Sequence, residues 1–275
     1  MSVYEPVNEA IEAHSQVCSC IEIVGFDDCI EKGETAKIQV FFERVAQEIY
    51  NARKKNYSWG FRVIEPEFLN LSEHMILISK LYKEENLYDL NSVVFKLFTE
   101  FNNIILSTAL NMHIPIKGII RMGETYRGSL KSRKPALISK KEPLILSDLL
   151  KVFTVDEIFP NGFYEDLIPA FEMPFHFGAS LSRSVREMSE IDSVGIFMPA
   201  EYNKEQTADV TILCNMMAES QLRGEACLAC NWKQWMREHE GYSIEDILAF
   251  AEEEAKTGNP HSLLWQGLLT YSTSL

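Results

Sequence analysis

Apolar residues recur along this chain with two different periods, and the order in which the periods alternate predicts a fold. Val17 to Phe26 is rich in β-branched and aromatic positions and reads as a strand. Glu34 to Lys55 then places Ile38, Phe41, Phe42, Val45, Ala46 and Ile49 on one face at helical spacing. Phe61–Leu69 and His74–Leu81 read as two strands joined by a turn around Asn70-Leu71-Ser72-Glu73. Tyr88 to Met112 is a second amphipathic helix, carrying Leu90, Val94, Leu97, Phe98, Phe101, Ile105 and Leu110, with Pro115 as its stop. Ile116 to Tyr126 is a further strand in which Gly118 and Gly123 are expected as bulges. The order β-α-β-β-α-β is the ferredoxin-like arrangement, an α/β (α+β) core.

Past this core the pattern weakens. Gly128 to Pro174 holds a basic turn, the apolar Pro143-Leu144-Ile145-Leu146 and an acidic-aromatic stretch around Phe163-Tyr164-Glu165; its length suggests a functional or mobile insertion. Gly178–Glu190 reads as a helix, and Val194–Met198 and Ala208–Met217 as additional strands. Three helices are then expected: Asn231–His239, Ser243–Lys256 capped by Ser243, and a last one opened by Asn259-Pro260. The expected organisation is a core domain over 1–220, with the insertion at 128–174, and a helical C-terminal extension over 221–275.

Composition narrows the function classes. The 275 residues are 46% hydrophobic and 24% charged, as in an ordinary globular protein. With a net charge of -14, and basic runs only at Arg53-Lys54-Lys55 and Lys131-Ser132-Arg133-Lys134, duplex nucleic acid is not expected as a partner. Met1-Ser2-Val3-Tyr4-Glu5 does not read as a signal peptide. The apolar stretch from Val93 to Ile120 is interrupted by Lys96, Glu100, Asn102-Asn103, Pro115 and Lys117, so no membrane span is expected. Six cysteines in such a chain suggest reduced thiols in a cytoplasm. Cys227-Leu228-Ala229-Cys230 has half the spacing of a zinc ribbon without a matching second pair, and buried or half-buried cysteines are the better reading.

The chemistry concentrates on two acids. Glu22 lies inside the apolar run Cys20-Ile21-Glu22-Ile23-Val24-Gly25-Phe26, where a carboxylate needs a positive partner, and a divalent cation is a natural one. In a ferredoxin-like sheet the first strand neighbours the central hairpin, so Glu22 and Glu73 can converge at one sheet end. Two such carboxylates can hold two divalent cations across a nucleoside triphosphate, which is phosphoryl or nucleotidyl chemistry.

Four fragments in order, spanning roughly residues 17 to 200, give the chain a resemblance to the class III nucleotidyl cyclases, the adenylate and guanylate cyclases. Glu22-Ile23-Val24-Gly25-Phe26 looks like the family's first metal strand, and Ser72-Glu73-His74 lies where its second metal carboxylate sits. Ile116-Lys117-Gly118-Ile119-Ile120-Arg121-Met122-Gly123 resembles its Arg-Gly-Ala-Ile strand. Phe177-Gly178-Ala179-Ser180-Leu181-Ser182-Arg183-Ser184-Val185-Arg186 is similar to the Gly-opened helix that carries an Asn and, four residues on, an Arg.

The resemblance implies a head-to-tail homodimer with composite sites acting on a nucleoside triphosphate with Mg²⁺ or Mn²⁺, two ions per site. Glu22, Glu73 and the Ile23 carbonyl would hold metal, with Gly25 and Phe26 beside the substrate. The partner's Ser182 would meet the ribose and its Arg186 the α-phosphate, where a rigid permanent cation suits the developing charge. The 3′-hydroxyl would displace pyrophosphate and leave a 3′,5′-cyclic nucleotide. Both metal positions carry Glu where the family has Asp, and the purine-reading positions fall on Leu69 and around Phe175. As a short chain without the purine markers, it is similar to the short, soluble Pycsar pyrimidine cyclases, which implies CTP or UTP and antiphage signalling.

Plainer readings stand beside these. Glu22 can face solvent on an edge strand, Glu73 can be a hydrophilic turn residue, and Arg186 can belong to a solvated face with Arg183, Glu187 and Glu190. The alternatives to a cyclase are a degenerate cyclase-like domain that binds nucleotide or a partner, and an interaction protein working through its acidic C-terminal helices.

Overall fold

The computed structural model describes residues 12–57, 66–81, 88–131, 172–199, 216–222, 224–273 and 275. Two compact units are present. One comprises His14–Thr125 and Gly178–Leu275; the other comprises Met1–Ala13 and Tyr126–Phe177. The strands are β1 (Glu12–Ile23), β2 (Glu67–Leu71), β3 (His74–Leu81), β4 (Ile116–Lys131), β5 (Glu172–Gly178), β6 (Gly195–Pro199), β7 (Met217–Leu222) and β8 (Glu225–Cys230). The helices are α1 (Phe26–Glu31), α2 (Thr35–Tyr57), α3 (Tyr88–Asn111), α4 (Ala179–Met188), α5 (Trp232–Arg237), α6 (Ile244–Thr257) and α7 (Ser262–Ser272).

The sheet runs β2-β3-β1-β4-β6-β8-β7, and β5 pairs with β4 off this path. Its first four strands stand in the order of a ferredoxin-like core, so the β-α-β-β-α-β expectation is met in both sequence and space. β1 is antiparallel to β3, with Glu22 directly opposite His74, while β4 and β6 run parallel with Gly118 opposite Ile196.

Alternation along β1 sorts its side chains into Val17, Ser19, Ile21 and Ile23 on one face and Gln16, Cys18, Cys20 and Glu22 on the other. Both rows are buried as far as Ile21, so each face of this central strand is covered. α3 packs against β3, β6 and β8, with α2 and α5 packed on α3. α4 lies on the second face, where the Ser184 hydroxyl is 3.8 Å from Cys18 Sγ. The stretch Val93–Asn111 of α3 is as long and apolar as a membrane span, but 78% of it is buried in the protein. It is the core helix, and its apolar residues are explained by packing.

Gly118 is not a bulge; it sits in register at a close approach. A Cβ there would fall 3.0 Å from the Cys20 carbonyl oxygen and 3.0 Å from Ile21 Cγ1, so only glycine lets β4 close on β1.

The C-terminal expectation changes. The expected boundary at 220 falls inside β7, and β7 and β8 form a hairpin around Gly224 (φ 81°) that extends the core sheet through β6. The helices follow only from Trp232. α5 is capped by the Asn231 side chain, which accepts from Gln234 N at 3.1 Å, and α6 by Ser243 Oγ, which accepts from Asp246 N at 3.2 Å. The expected strand Ala208–Met217 lies outside the described residues except at its last two, and so does most of the 128–174 insertion. Gly128–Lys131 of that insertion close β4, and Glu172–Pro174 open β5.

Candidate functional site

The site is built where the cover over β1 ends. Glu22 is the last residue of its row, and its side chain is 24% exposed after a run of buried neighbours. Beyond it the Ile23 N–H donates to the Glu73 carbonyl at 2.8 Å, which extends the β1–β3 ladder into the hairpin turn. Because Leu71 pairs with His74, the hairpin turns on two residues, Ser72 and Glu73, with Ser72 at a positive φ of 58°. The two predicted acids therefore stand at one corner of the sheet, held there by backbone pairing.

The corner continues into the chain after β1. Val24 N–H donates to the Pro115 carbonyl at 2.9 Å, which anchors the exit from β1 to the entrance of β4. Gly25 is left-handed (φ 73°) and caps the six-residue helix α1, headed by Phe26. The C-terminal segment closes against this turn: a Cβ on Gly25 would lie 3.0 Å from His261 Nε2, and His261 Nε2 is 3.9 Å from Asp28 Oδ2.

Each acid already has a partner. Lys117 on β4 puts its Nζ 3.3 Å from Glu22 Oε2, with only 13% of the lysine side chain exposed. Glu73 Oε1 is 3.3 Å from His74 Nδ1. Glu73's own backbone N–H and the Ser72 hydroxyl hold its carboxyl below the usual carboxylate range, so it is ionised at neutral pH. The expected pair of divalent cations does not fit this arrangement. An ion taken up through Glu22 Oε2 would have to displace the Lys117 ammonium or stand beside it, cation against cation. Among the described residues no cluster of three or more His, Cys, Asp or Glu side chains converges on a common point.

The other predicted residues are placed as follows. Ser182 and Arg186 are four apart on α4 and share its exposed side with Val185, while Leu181, Ser184 and Met188 turn inward. They face away from the strand carrying Glu22, within one chain. Leu69 is exposed on β2, two strands from β1 and opposite Ile76. Phe175 lies on β5, in the other unit.

Sequence reasoning did not foresee Lys117 as a partner of Glu22, although the signal was present. A lysine inside Ile116-Lys117-Gly118-Ile119, on the strand that a ferredoxin-like order sets beside β1, is the complement of the acid inside that strand. His261 was equally hidden, because nothing local ties a C-terminal loop to the Gly25 turn. Among the described cysteines, Cys18, Cys20, Cys227 and Cys230 are buried and Cys29 is half-buried; burial pushes the Cys20 thiol up to about 12 and the Cys227 thiol up to about 11.

No protein-family model and no curated protein matches the sequence. Among solved structures the chain is similar to the adenylyl cyclase CyaB from P. aeruginosa, at 8% identity over 80% of this chain and 95% of that one, with a TM-score of 0.43. It is similar also to the guanylate cyclase domain of RhGC from Catenaria anguillulae, at 9% identity over 79% and 97% of the two chains, TM-score 0.43. A third is the monomeric guanylyl cyclase domain of the RhoGC fusion protein from the aquatic fungus Blastocladiella emersonii, at 10% identity over 80% and 96%, TM-score 0.40.

Proposed function

We propose that this chain is a nucleotidyl cyclase-type protein that takes a nucleoside triphosphate at the β1/β3 corner and forms a 3′,5′-cyclic nucleotide and pyrophosphate as a head-to-tail homodimer. One observation carries the reading. The ladder bond from Ile23 N–H to the Glu73 carbonyl brings the two acids of the motif to one sheet corner, beside the left-handed Gly25 turn. The exposed face of α4 supports the dimer, because Ser182 and Arg186 are free to reach a second chain. In that arrangement Ser182 holds the ribose of the partner's nucleotide and Arg186 takes up charge at the α-phosphate as the 3′-oxygen attacks. CTP and UTP are the proposed substrates and antiphage signalling the proposed role, both following from the resemblance to Pycsar cyclases.

A second reading is favoured by the Lys117–Glu22 pair: a cyclase-like domain that binds nucleotide without turning it over. One experiment separates the two. Purified protein is given each of the four triphosphates with Mn²⁺, and binding and cyclic product are both measured. Product supports the cyclase, binding without product supports the second reading, and absence of both in a folded dimer removes both.

A further inference from the structure

We propose that Lys117 is the resident cation of this corner, standing beside Glu22 where a divalent metal would otherwise be held. That a triphosphate is what the corner receives rests on the proposed function; the competition between Lys117 and a metal does not.

Three features of the pair point the same way. Glu22 is fixed in the β1 ladder opposite His74, so its carboxylate has a short, defined reach. Lys117 projects from the neighbouring strand, and its side chain is 13% exposed, which removes most of the solvent that would let an ammonium wander. The contact at 3.3 Å uses one oxygen of Glu22. With Glu22 and Glu73 negative and Lys117 positive, the corner keeps one net negative charge when His74 is neutral. Two divalent ions would bring four positive charges to the two negative charges of the acids, one of which the lysine already cancels.

The consequence for a bound triphosphate is specific. Its oxygens would meet a compact, strongly hydrated point charge with three donors, not a bridging pair of metals. Binding at this corner is then independent of any ion on Glu22.

The test is Mn²⁺ binding to the full chain without nucleotide, read by the electron paramagnetic resonance of free Mn²⁺. Wild type should bind no Mn²⁺ through Glu22, so Glu22→Gln should leave the titration unchanged. Lys117→Met, which keeps the stem and removes the charge, should gain binding through Glu22 and move the whole titration to about tenfold lower Mn²⁺, the equivalent of one pK unit of interaction. Adding Glu22→Gln to Lys117→Met should abolish that gain. A wild-type titration weakened by Glu22→Gln overturns the proposal, as does a folded Lys117→Met with no gain. Glu22→Gln alone decides the matter if Lys117→Met does not fold. A parallel titration with triphosphate in EDTA should show binding by wild type and about tenfold weaker binding by Lys117→Met. If no triphosphate binds to either, the proposed function fails while the Mn²⁺ result still decides the role of Lys117.

Discussion

β4 carries two cations four residues apart on one face, and each meets a glutamate at the same burial. Lys117 pairs with Glu22, and Arg121 with Glu187; in both pairs the base is 13% and the acid 24% exposed. Their surroundings differ. Arg121 reaches Glu187 on α4, its Nε donating to Glu187 Oε2 at 2.8 Å, and so ties a helix to the sheet. Lys117 reaches across to the neighbouring strand β1, at the corner shared with Glu73 and the Gly25 turn. Two pairs of equal burial can thus have different work: one fastens an element, and the other sets the charge of a site.

The largest effect should come from breaking either pair. Arg121→Met and Lys117→Met each leave a partly buried carboxylate without its cation. Each should lower stability by about 2 kcal/mol, below the value for fully buried pairs because both acids retain some solvent. Urea denaturation measures this, and the comparison predicts similar losses for the two. Only Lys117→Met should change nucleotide or Mn²⁺ binding. If Arg121→Met changes it as much, the distinction between the pairs collapses.

A smaller effect should follow at the Gly25 turn. Gly25→Ala forces a side chain into a left-handed position, costing about 1–2 kcal/mol, and brings its Cβ to 3.0 Å from His261 Nε2. Adding His261→Ala should restore the steric part and leave the backbone part, so the double variant should be more stable than Gly25→Ala alone. Thermal midpoints of the four proteins give the coupling directly.

The turn before β4 supplies a pH test near the Lys117 end. His113 stacks on Phe250 at 3.9 Å, and its backbone carbonyl accepts from Lys37 Nζ at 3.3 Å. Burial first, and then Lys37, hold the imidazole pKa below its ordinary value, against the opposing pull of Asp246 and Glu254. The unfolded chain therefore takes up this proton more readily than the folded one. The associated stability is complete above the ordinary histidine value and is lost as pH falls toward the folded value. Wild type should lose more stability than His113→Phe between about pH 7.5 and about pH 5.5, a window spanning that ordinary value. Equal losses would remove His113 from the account.

The smallest effect on stability should be that of Arg186→Ala. The side chain lies on the exposed face of α4, so the change should stay within about 0.5 kcal/mol while cyclic product is lost.

The core was legible because its information is local. The periods over 34–55 and 88–112 return as α2 and α3, and the caps Asn231 and Ser243 hold side-chain bonds where their residue types suggest. The need for a cation beside Glu22 was also legible, since any carboxylate on such a strand requires one. Which cation it would be was not, because Lys117 lies 95 positions away and meets Glu22 only through strand pairing. The β7–β8 hairpin was not legible: its two strands are six residues each, and Gly224 is its one local turn signal. α1 is too short to carry a period, and only the left-handed Gly25 announces it.

On the proposed function, Glu73 and Arg186 serve one composite site built from two chains. The most direct measurement mixes two folded, individually inactive variants, Glu73→Ala and Arg186→Ala, and follows cyclic nucleotide from CTP, UTP, ATP and GTP by mass spectrometry. Wild type should form product and either variant alone none, and mixing should restore it, because the mixed dimer contains one intact site. A folded wild type that makes no cyclic product, or product that survives both substitutions, would contradict the proposal.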